Sequence, residues 1–513
     1  MTTLLATACI GLLTSLACTP LVRALAHRWQ LTDRPDDHRK LHREPIALGG
    51  GIAVFIGLAV AVCVAAFLPT TLGAAVAAQA GDFGPLLAAG LLIVAIGLVD
   101  DRFGLRGRHK LLGQVCVAGI LVASGLVIRR TDLFGVHLEL GLLSVPLTMF
   151  WLVGAMNSLN LIDGVDGLAS TVGLILSLAI AAMALLLGRG PETVVAVAFA
   201  GSLLGFLRFN FPQAKIFLGD AGSMLIGLVV GALAIRASLK GPATMAMAAP
   251  LAVWAIPILD STAAIIRRKL TGRSIYTTDR GHLHHCLLAV FDGNLKVVGA
   301  VALGCAVTCA GALVSVYLKS DTLALLGVVA VAAILVVSRV FGYVELLLVG
   351  NRLKSLGRSL LDPVVSKRAG HTRQEAVRLQ GTRHWDLLWT SLTEFAGKLN
   401  LSRIRLDVNL PAAQEGYHAS WQRTMRCDPQ ELWTTEIPLF SNNRVIGRLS
   451  AAGEVEGASA CELVERLMDL LAPFEARLAE LAVVGAQASH PAATPFQPEL
   501  PFVTVSSDSP VAG

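Results

Sequence analysis

Residues 83–101 read FGPLLAAGLLIVAIGLVDD, an uncharged run that ends abruptly in two adjacent carboxylates, Asp100 and Asp101. A helix of about 20 apolar residues crosses the hydrocarbon core of a bilayer. Similar uncharged blocks recur outward from this stretch, at 111–128, 168–187, 222–235, 297–317 and 323–338. The chain is 54% apolar and 15% charged over 513 residues, with a mean hydropathy of +0.66. A soluble domain carries roughly a quarter charged residues. The reading is an all-α polytopic membrane protein of about 11 transmembrane helices, near 2–22, 47–68, 83–99, 111–128, 142–158, 168–187, 191–208, 222–236, 243–262, 297–317 and 323–345. The first span lacks a basic lead-in, so it reads as a membrane helix and not a cleaved signal. The nine cysteines show no CxxC or ligand spacing and suggest neither a disulfide framework nor a zinc site.

Charge sorts the loops. Loops after the odd-numbered spans carry seventeen Lys and Arg, those after the even-numbered spans five. The positive-inside rule places the former in the cytoplasm and the N-terminus outside. The same parity gathers the chemistry-bearing residues. Asp100, Asp101, Asn157, Asn160, Asp163, Asp166, Asp220, His282, His284 and His285 all fall on the expected cytoplasmic side. Ionisable groups at span ends are costly, and such clustering marks a functional site.

Each cluster carries two readings. Asp100-Asp101 is either a solvated helix end partnered by Arg102 or a pair of carboxylates arranged around a cation. NSLNLIDGVDGL, from Asn157 to Leu168, is either a turn rich in Asn, Asp and Gly or an oxygen-donor surface. If the helix continues, Asn157, Asn160 and Asp163 share a face, with Asp166 next unless Gly164 and Gly167 break it. Oxygen donors beside tight backbone suit Mg2+ and phosphates. In FLGDAGS (217–223), Asp220 is a helix cap or a metal ligand, and the company of the other carboxylates favours the ligand. DRGHLHH (279–285) could take zinc or a diphosphate. No fourth zinc ligand is evident, which favours phosphate. The first loop, with Lys40 and His42, suits a lipid headgroup or a lipid phosphate. Metal-assisted phosphoryl transfer fits this inventory.

These motifs resemble the polyprenyl-phosphate N-acetylhexosamine-1-phosphate transferases of glycosyltransferase family 4. The resemblance rests on the Asp33, Pro35, Arg39, Lys40, His42 pattern, the Asp pair with Lys110, the NxxNxxDGxDGLA and FLGDAGS stretches and the HLHH loop, over roughly residues 1–345. It implies a cytoplasmic site with Mg2+, or Mn2+ in its place, and transfer of a sugar-1-phosphate from a UDP-sugar to polyprenyl phosphate with release of UMP. It implies a catalytic group of Asp100, Asp101, Asp163 and Asp166, with Asp220 and Asp100 on the metal. Substrate contacts would come from Lys40, His42, Lys110, Asn157, Asn160, Phe217 (stacking on uracil), Arg280, His282, His284 and His285. Leu283 interrupts the run of three His found in the muramoyl-pentapeptide branch, so the N-acetylglucosamine branch, placed in the cell inner membrane, is the expected one.

From residue 346 the composition turns polar. Residues 346–485 are expected to form a small cytoplasmic α+β domain, with helices at 384–400 and 460–484. Strands are expected at 402–410, 432–440 and 443–452, with Asn442-Asn443 as a hairpin turn. Residues 486–513 are expected to be disordered. A cytoplasmic protein partner could dock on this domain, and no nucleic-acid partner is expected. The competing classes are a transporter, whose acids would sit near mid-membrane, and a non-catalytic scaffold.

Overall fold

In this computed structural model the described residues are 1–33, 45–241, 244–270, 281–361, 372–380, 385–398, 401–410, 415–423, 432–441, 444–454 and 465. The helices in order are α1 (Thr2–Arg28), α2 (Gly50–Phe67), α3 (Thr71–Ala78), α4 (Ala80–Phe103), α5 (Gly107–Ala123), α6 (Ser144–Ile162), α7 (Leu168–Leu186) and α8 (Gly190–Asn210). They continue with α9 (Gly219–Ser238), α10 (Ala248–Val253), α11 (Ala255–Leu270), α12 (Leu283–Val290), α13 (Asn294–Leu318), α14 (Asp321–Val337), α15 (Tyr343–Leu361) and α16 (Trp385–Lys398). The strands are β1 (Thr32–Asp33), β2 (Ile46–Ala47), β3 (Arg130–Leu133), β4 (Val136–Glu139), β5 (Leu239–Gly241), β6 (Thr244–Ala246), β7 (Thr372–Gln380), β8 (Leu401–Leu410), β9 (Glu415–Arg423), β10 (Leu432–Ser441) and β11 (Arg444–Glu454). The chain divides into two compact units, Met1–Lys269 with Ser274–Tyr343, and Val344–Gly513 with Leu270–Arg273.

By length and composition, eight described helices can cross a membrane: α1, α2, α4, α6 with its leading turn, α7, α8, α9 and α13. This is a multi-pass membrane protein. Three expected spans take other forms. The helix at 111–128 is the 17-residue α5. The stretch 243–262 divides between α10 and α11 at Trp254. Pro257 explains the break: its ring excludes the carbonyl four residues back, at Val253, the last residue of α10. The stretch 323–345 divides between α14 and α15 around Gly342, whose φ is +82°.

The first unit is not purely helical. β4-β3-β6-β5 form a small sheet, with β3 and β6 parallel. The β3–β4 hairpin turns on Phe134 and Gly135, with φ of +52° and +77°, the geometry of a two-residue primed turn. The second unit is a five-stranded antiparallel sheet, ordered β10-β11-β8-β9-β7. Its core includes Trp385 and Trp389 of α16 with Leu406, Tyr417 and Leu449 of the sheet. The α+β reading matches here, with β7 and β9 added. The Asn442-Asn443 turn, residues 486–513 and all of 460–484 except Glu465 lie outside the described residues.

α9 is the axis of the membrane unit and its most buried span. It packs against α2, α4, α6, α7 and α8. Small residues permit that approach, as they do between membrane helices generally. A Cβ on Gly97 of α4 would collide with the Ala221 backbone of α9, and one on Gly51 of α2 with the Gly222 backbone. Both glycines lie at the end of the bundle where Asp100 and Asp220 sit. A Gly97→Val substitution is therefore expected to lower the thermal midpoint of the purified protein, at an overpacking cost of about 1–3 kcal/mol. Gly119→Val on α5, where a Cβ meets nothing within 4 Å, should leave the midpoint unmoved. Equal midpoints for the two variants would contradict this packing.

Candidate functional site

At one end of the membrane unit the turn between α4 and α5, the end of α6 with the α6–α7 loop, the start of α9 and the His282–His285 segment come together. α4 ends at Gly104, whose φ of +63° closes the helix as its N–H donates to the Asp100 carbonyl. Asp100 Oδ1 accepts from the Leu105 N–H at 2.7 Å, which fixes the carboxylate against the turn into α5. Lys110, in the first turn of α5, thereby faces back toward Asp100. α6 ends at Ile162, so Asn157 and Asn160 share its last turns and Asp163 stands just beyond. Gly167, with φ of +74°, starts α7. The segment before α9 runs beside the start of α2: the Phe217 N–H donates to the Ala47 carbonyl at 2.8 Å, and the Gly50 N–H donates to the Phe217 carbonyl at 3.0 Å.

Gly219 begins α9 with φ of +73° and leaves no room for a Cβ beside the Asp101 carboxylate. Asp101 uses that space. It accepts from the Asp220 N–H at 2.8 Å and the Ala221 N–H at 3.4 Å. A carboxylate from α4 thus caps α9, satisfying open N–H groups where the helix dipole favours negative charge.

Lys110 is the centre of the cluster. Its Nζ lies 2.6 Å from Asp220 Oδ2, 2.9 Å from Asp100 Oδ2 and 2.9 Å from Asn160 Oδ1, three acceptors for three ammonium protons. The Asn160 amide donates to the other Asp220 oxygen at 2.6 Å and to Ser223 Oγ at 2.9 Å. Asp163 joins from the α6–α7 loop. Burial pushes its carboxyl well above the usual range, and the charges of Asp220, Asp101 and Asp166 add to the shift.

The His loop reaches the same end. His284 packs on Gly164, where a Cβ would strike its imidazole. The ring stacks with His282 at a centroid distance of 6.0 Å and touches His285 at 4.2 Å. Burial holds His284 well below its ordinary pKa, with the neighbouring His285 and His282 adding to it, so it is neutral at neutral pH. Its Nδ1 is buried with no hydrogen-bond partner among the described residues. His282 is held by Asp260 of α11, whose fully buried carboxylate lies 2.9 Å from Nδ1 and accepts from the Leu283 N–H at 2.7 Å.

The structure therefore brings together Asp100, Asp101, Lys110, Asn160, Asp163 and Asp220, with His282, His284 and His285 alongside. Asn157 sits one turn deeper, its amide paired with Gln114 at 2.7 Å. Asp166 accepts from the Ala214 N–H at 3.1 Å and ties the α6–α7 loop to the approach to α9. Phe217 is half-buried on that approach. Lys40, His42 and Arg280 lie outside the described residues. Among the described residues no three His, Cys, Asp or Glu side chains form a metal cage by themselves. The sequence reading does not single out Gln114 and Asp260. Gln114 and Asp260 are lone polar residues in apolar runs, a signal that was present. Asp260→Ala should leave the Leu283 N–H and the His282 ring without their acceptor and cost about 1–3 kcal/mol. Asp260→Asn keeps an acceptor oxygen and should cost less. Urea or thermal unfolding of the two variants checks this, and equal losses would remove the buttress role.

Residues 83–238 match the family model described as glycosyl transferase family 4. The chain is 35% identical over 285 residues to a probable undecaprenyl-phosphate N-acetylglucosaminyl 1-phosphate transferase of Bacillus subtilis, covering 55% of this chain and 76% of that protein. It is 37% identical over 344 residues to a decaprenyl-phosphate N-acetylglucosaminephosphotransferase of Mycolicibacterium smegmatis, covering 62% and 84%. It is 36% identical over 204 residues to a phospho-N-acetylmuramoyl-pentapeptide-transferase of Moorella thermoacetica, covering 37% and 63%. The chain is a phosphotransferase, and it belongs to the polyprenyl-phosphate N-acetylhexosamine-1-phosphate transferases of glycosyl transferase family 4.

Proposed function

We propose that this protein transfers N-acetylglucosamine-1-phosphate from UDP-N-acetylglucosamine to polyprenyl phosphate at the cytoplasmic face of the inner membrane, releasing UMP. The observation that carries this reading is the cluster around Lys110: carboxylates from α4 and α9 and an amide from α6 converge on one ammonium at the end of a membrane bundle. A soluble nucleotide and a lipid headgroup can both reach such a place. The excess of Lys and Arg in the loops on this side supports a cytoplasmic site, and the names of two relatives, which carry N-acetylglucosamine, support the donor.

In the proposed step an oxygen of the lipid phosphate attacks the sugar-bearing phosphorus of the donor. The bond from that phosphorus to the bridging oxygen breaks, and UMP leaves with the electron pair. A phosphate monoester is already largely ionised at neutral pH, so it needs little help from a base. Asp100 then serves chiefly to hold Lys110 and a cation.

The donor set fits Mg2+. Asp220 and Asp100 offer hard oxygens at one point. Mg2+ usually takes one or two carboxylates and completes its shell with water and substrate phosphates, so no protein cage is needed. Bound there, it would neutralise charge on the diphosphate. Lys110 is placed to meet a phosphate oxygen, and its ammonium matches charge that grows on the leaving phosphate. The capped N-terminus of α9 keeps Asp220 in register with Asn160. Neutral His284, with an unmet Nδ1, offers a hydrogen bond beside the α6–α7 loop.

The second reading keeps the reaction and changes the donor to UDP-N-acetylmuramoyl-pentapeptide, as the third relative's name would have it. Leu283 favours the first. It is buried and separates His282 from His284, so the two rings stack and the loop holds no run of three His. A panel of radiolabelled UDP-sugars with purified protein and carrier lipid decides between them, with N-acetylglucosamine-1-phosphate expected in the lipid fraction. Asp220→Ala should lower Mg2+-dependent UMP release by roughly 10²–10³-fold, on the scale of removing one preorganised charge-stabilising group. Turnover within a few-fold of wild type would refute the metal role. Phe217→Ala should raise the KM for the UDP-sugar and leave that for the lipid unchanged. A parallel rise in both would end the stacking assignment.

A further inference from the structure

One turn deeper than the Lys110 cluster lies a second polar layer built from the same three helices. Each layer takes one residue from α5, one from α6 and one from α9. The layer at the site is Lys110, Asn160 and Asp220. The deeper layer is Gln114, Asn157 and Met224. Gln114 follows Lys110 by four residues, Met224 follows Asp220 by four, and Asn157 precedes Asn160 by three. These are the spacings that stack side chains on one face of a helix.

The deeper layer is bonded within itself. Asn157 Nδ2 donates to Gln114 Oε1 at 2.7 Å, and Gln114 Nε2 donates back to Asn157 Oδ1 at 3.4 Å. The second Asn157 proton goes to the Val153 carbonyl at 2.8 Å, which fixes the end of that amide turned toward Gln114. Gln114 Nε2 also lies 3.2 Å from Met224 Sδ, a weak acceptor. Gln114 and Met224 are fully buried. A satisfied buried polar network admits one arrangement of the elements that build it.

What this layer holds is the start of α5. From Gly107 to Gly113 no residue of α5 is buried, and Gln114 is the first that is. Apolar burial therefore does not set the rotation of the turn that carries Lys110. The neighbours of Gln114 on α5 are Gly113 and Val115, which cannot make its side-chain bonds. A rotation of α5 by one residue, about 100°, would lose the layer and turn Lys110 away from α6 and α9.

We infer that Gln114 is a positioning residue of the transfer reaction. By binding α6 and α9 one turn below the site it sets the rotation of α5, and so places the Lys110 ammonium between Asp220 and Asn160. The inference rests on the proposed reaction, in which Lys110 meets charge that grows on the leaving phosphate. Gln114 acts through Lys110, so its loss removes what Lys110 contributes.

A double-variant cycle on the purified full-length protein tests it, with UMP release from UDP-N-acetylglucosamine and polyprenyl phosphate as the readout. Gln114→Leu removes both side-chain bonds and keeps an apolar fit. It should lower kcat by at least about tenfold, toward the about 100-fold that a misplacement of about 1 Å costs. The KM for the UDP-sugar should change by less than about twofold, because the lost interaction belongs to the transition state. In a Lys110→Gln background the same substitution should cost less than about twofold, since the group it positions is gone. A merely structural loss of folded protein would lower kcat by the same factor in both backgrounds. Gln114→Asn keeps the amide one methylene short of its partners. It should follow the leucine variant, and it stands in if that variant does not fold. Wild-type kcat in both Gln114 variants, or an equal loss with and without Lys110, overturns the inference. A large loss in Lys110→Gln beside unaffected Gln114 variants removes the positioning role alone and leaves the reaction standing. Wild-type turnover in Lys110→Gln would end the role of Lys110 in the reaction, and this inference with it.

Discussion

The ammonium of Lys110 holds the membrane unit's working end together. Asp100 on α4 and Asp220 on α9 approach closely enough to share it, and Asn160 on α6 fills its third bond. Two like charges about 4 Å apart repel by about 4 kcal/mol at an effective dielectric of 20. Without the shared cation α4 and α9 would bring that repulsion into the bundle. Among the described residues the cluster sets Asp100, Asp101, Asp163 and Asp220 against the Lys110 ammonium. It is electrostatically open to further positive charge, which is what a site that handles a diphosphate with a divalent cation requires.

That arrangement depends on backbone proximity set elsewhere. Gly51 and Gly97 let α2 and α4 touch the first turn of α9. Only at that distance can the Asp101 carboxylate reach the Asp220 and Ala221 N–H groups. The adjacent carboxylates of α4 therefore have different work: Asp100 turns toward Lys110, and Asp101 secures the helix that carries Asp220. A Cβ at Gly97 would disturb both, because it would push the α4 end from the α9 start.

The membrane character, the convergence of the Asp and His motifs and the membership of the family were all legible in the sequence, because each depends on residue type and order alone. What was not legible depends on approach in space. Asp101 and Asp100 are indistinguishable as letters, and only the register of α4 against α9 separates a cap from a lysine partner. Asp260 lies in the run AIPILDS and looked like part of a span. Its meaning appears when α11 comes against the His loop. The sheet β4-β3-β6-β5 was missed because strands of three or four residues leave too little alternation to read. In the second unit β7 was hidden by its charged sequence, TRQEAVRLQ, although β9 shows Tyr417, Ala419 and Trp421 alternating into the core.

The two ends of α9 show why polar chemistry collects where it does. Between Asp220 and Arg236 the helix carries no ionisable side chain and is almost wholly buried. A charge in that stretch would have to be desolvated without a partner. At its first turn an acid sits where the helix dipole favours negative charge, and at its last turn a base sits where it favours positive charge. Each end then draws opposite charges from neighbouring helices: Lys110 to the first, Asp82 and Glu192 to the second. The first set closes, since three protons meet three acceptors on Lys110. The second does not, since a buried Glu192 oxygen and Arg236 Nε remain unmatched. The helix dipole thus sorts the charges of α9, with an acid at its start and a base at its end, and each draws its partners from the neighbouring helices.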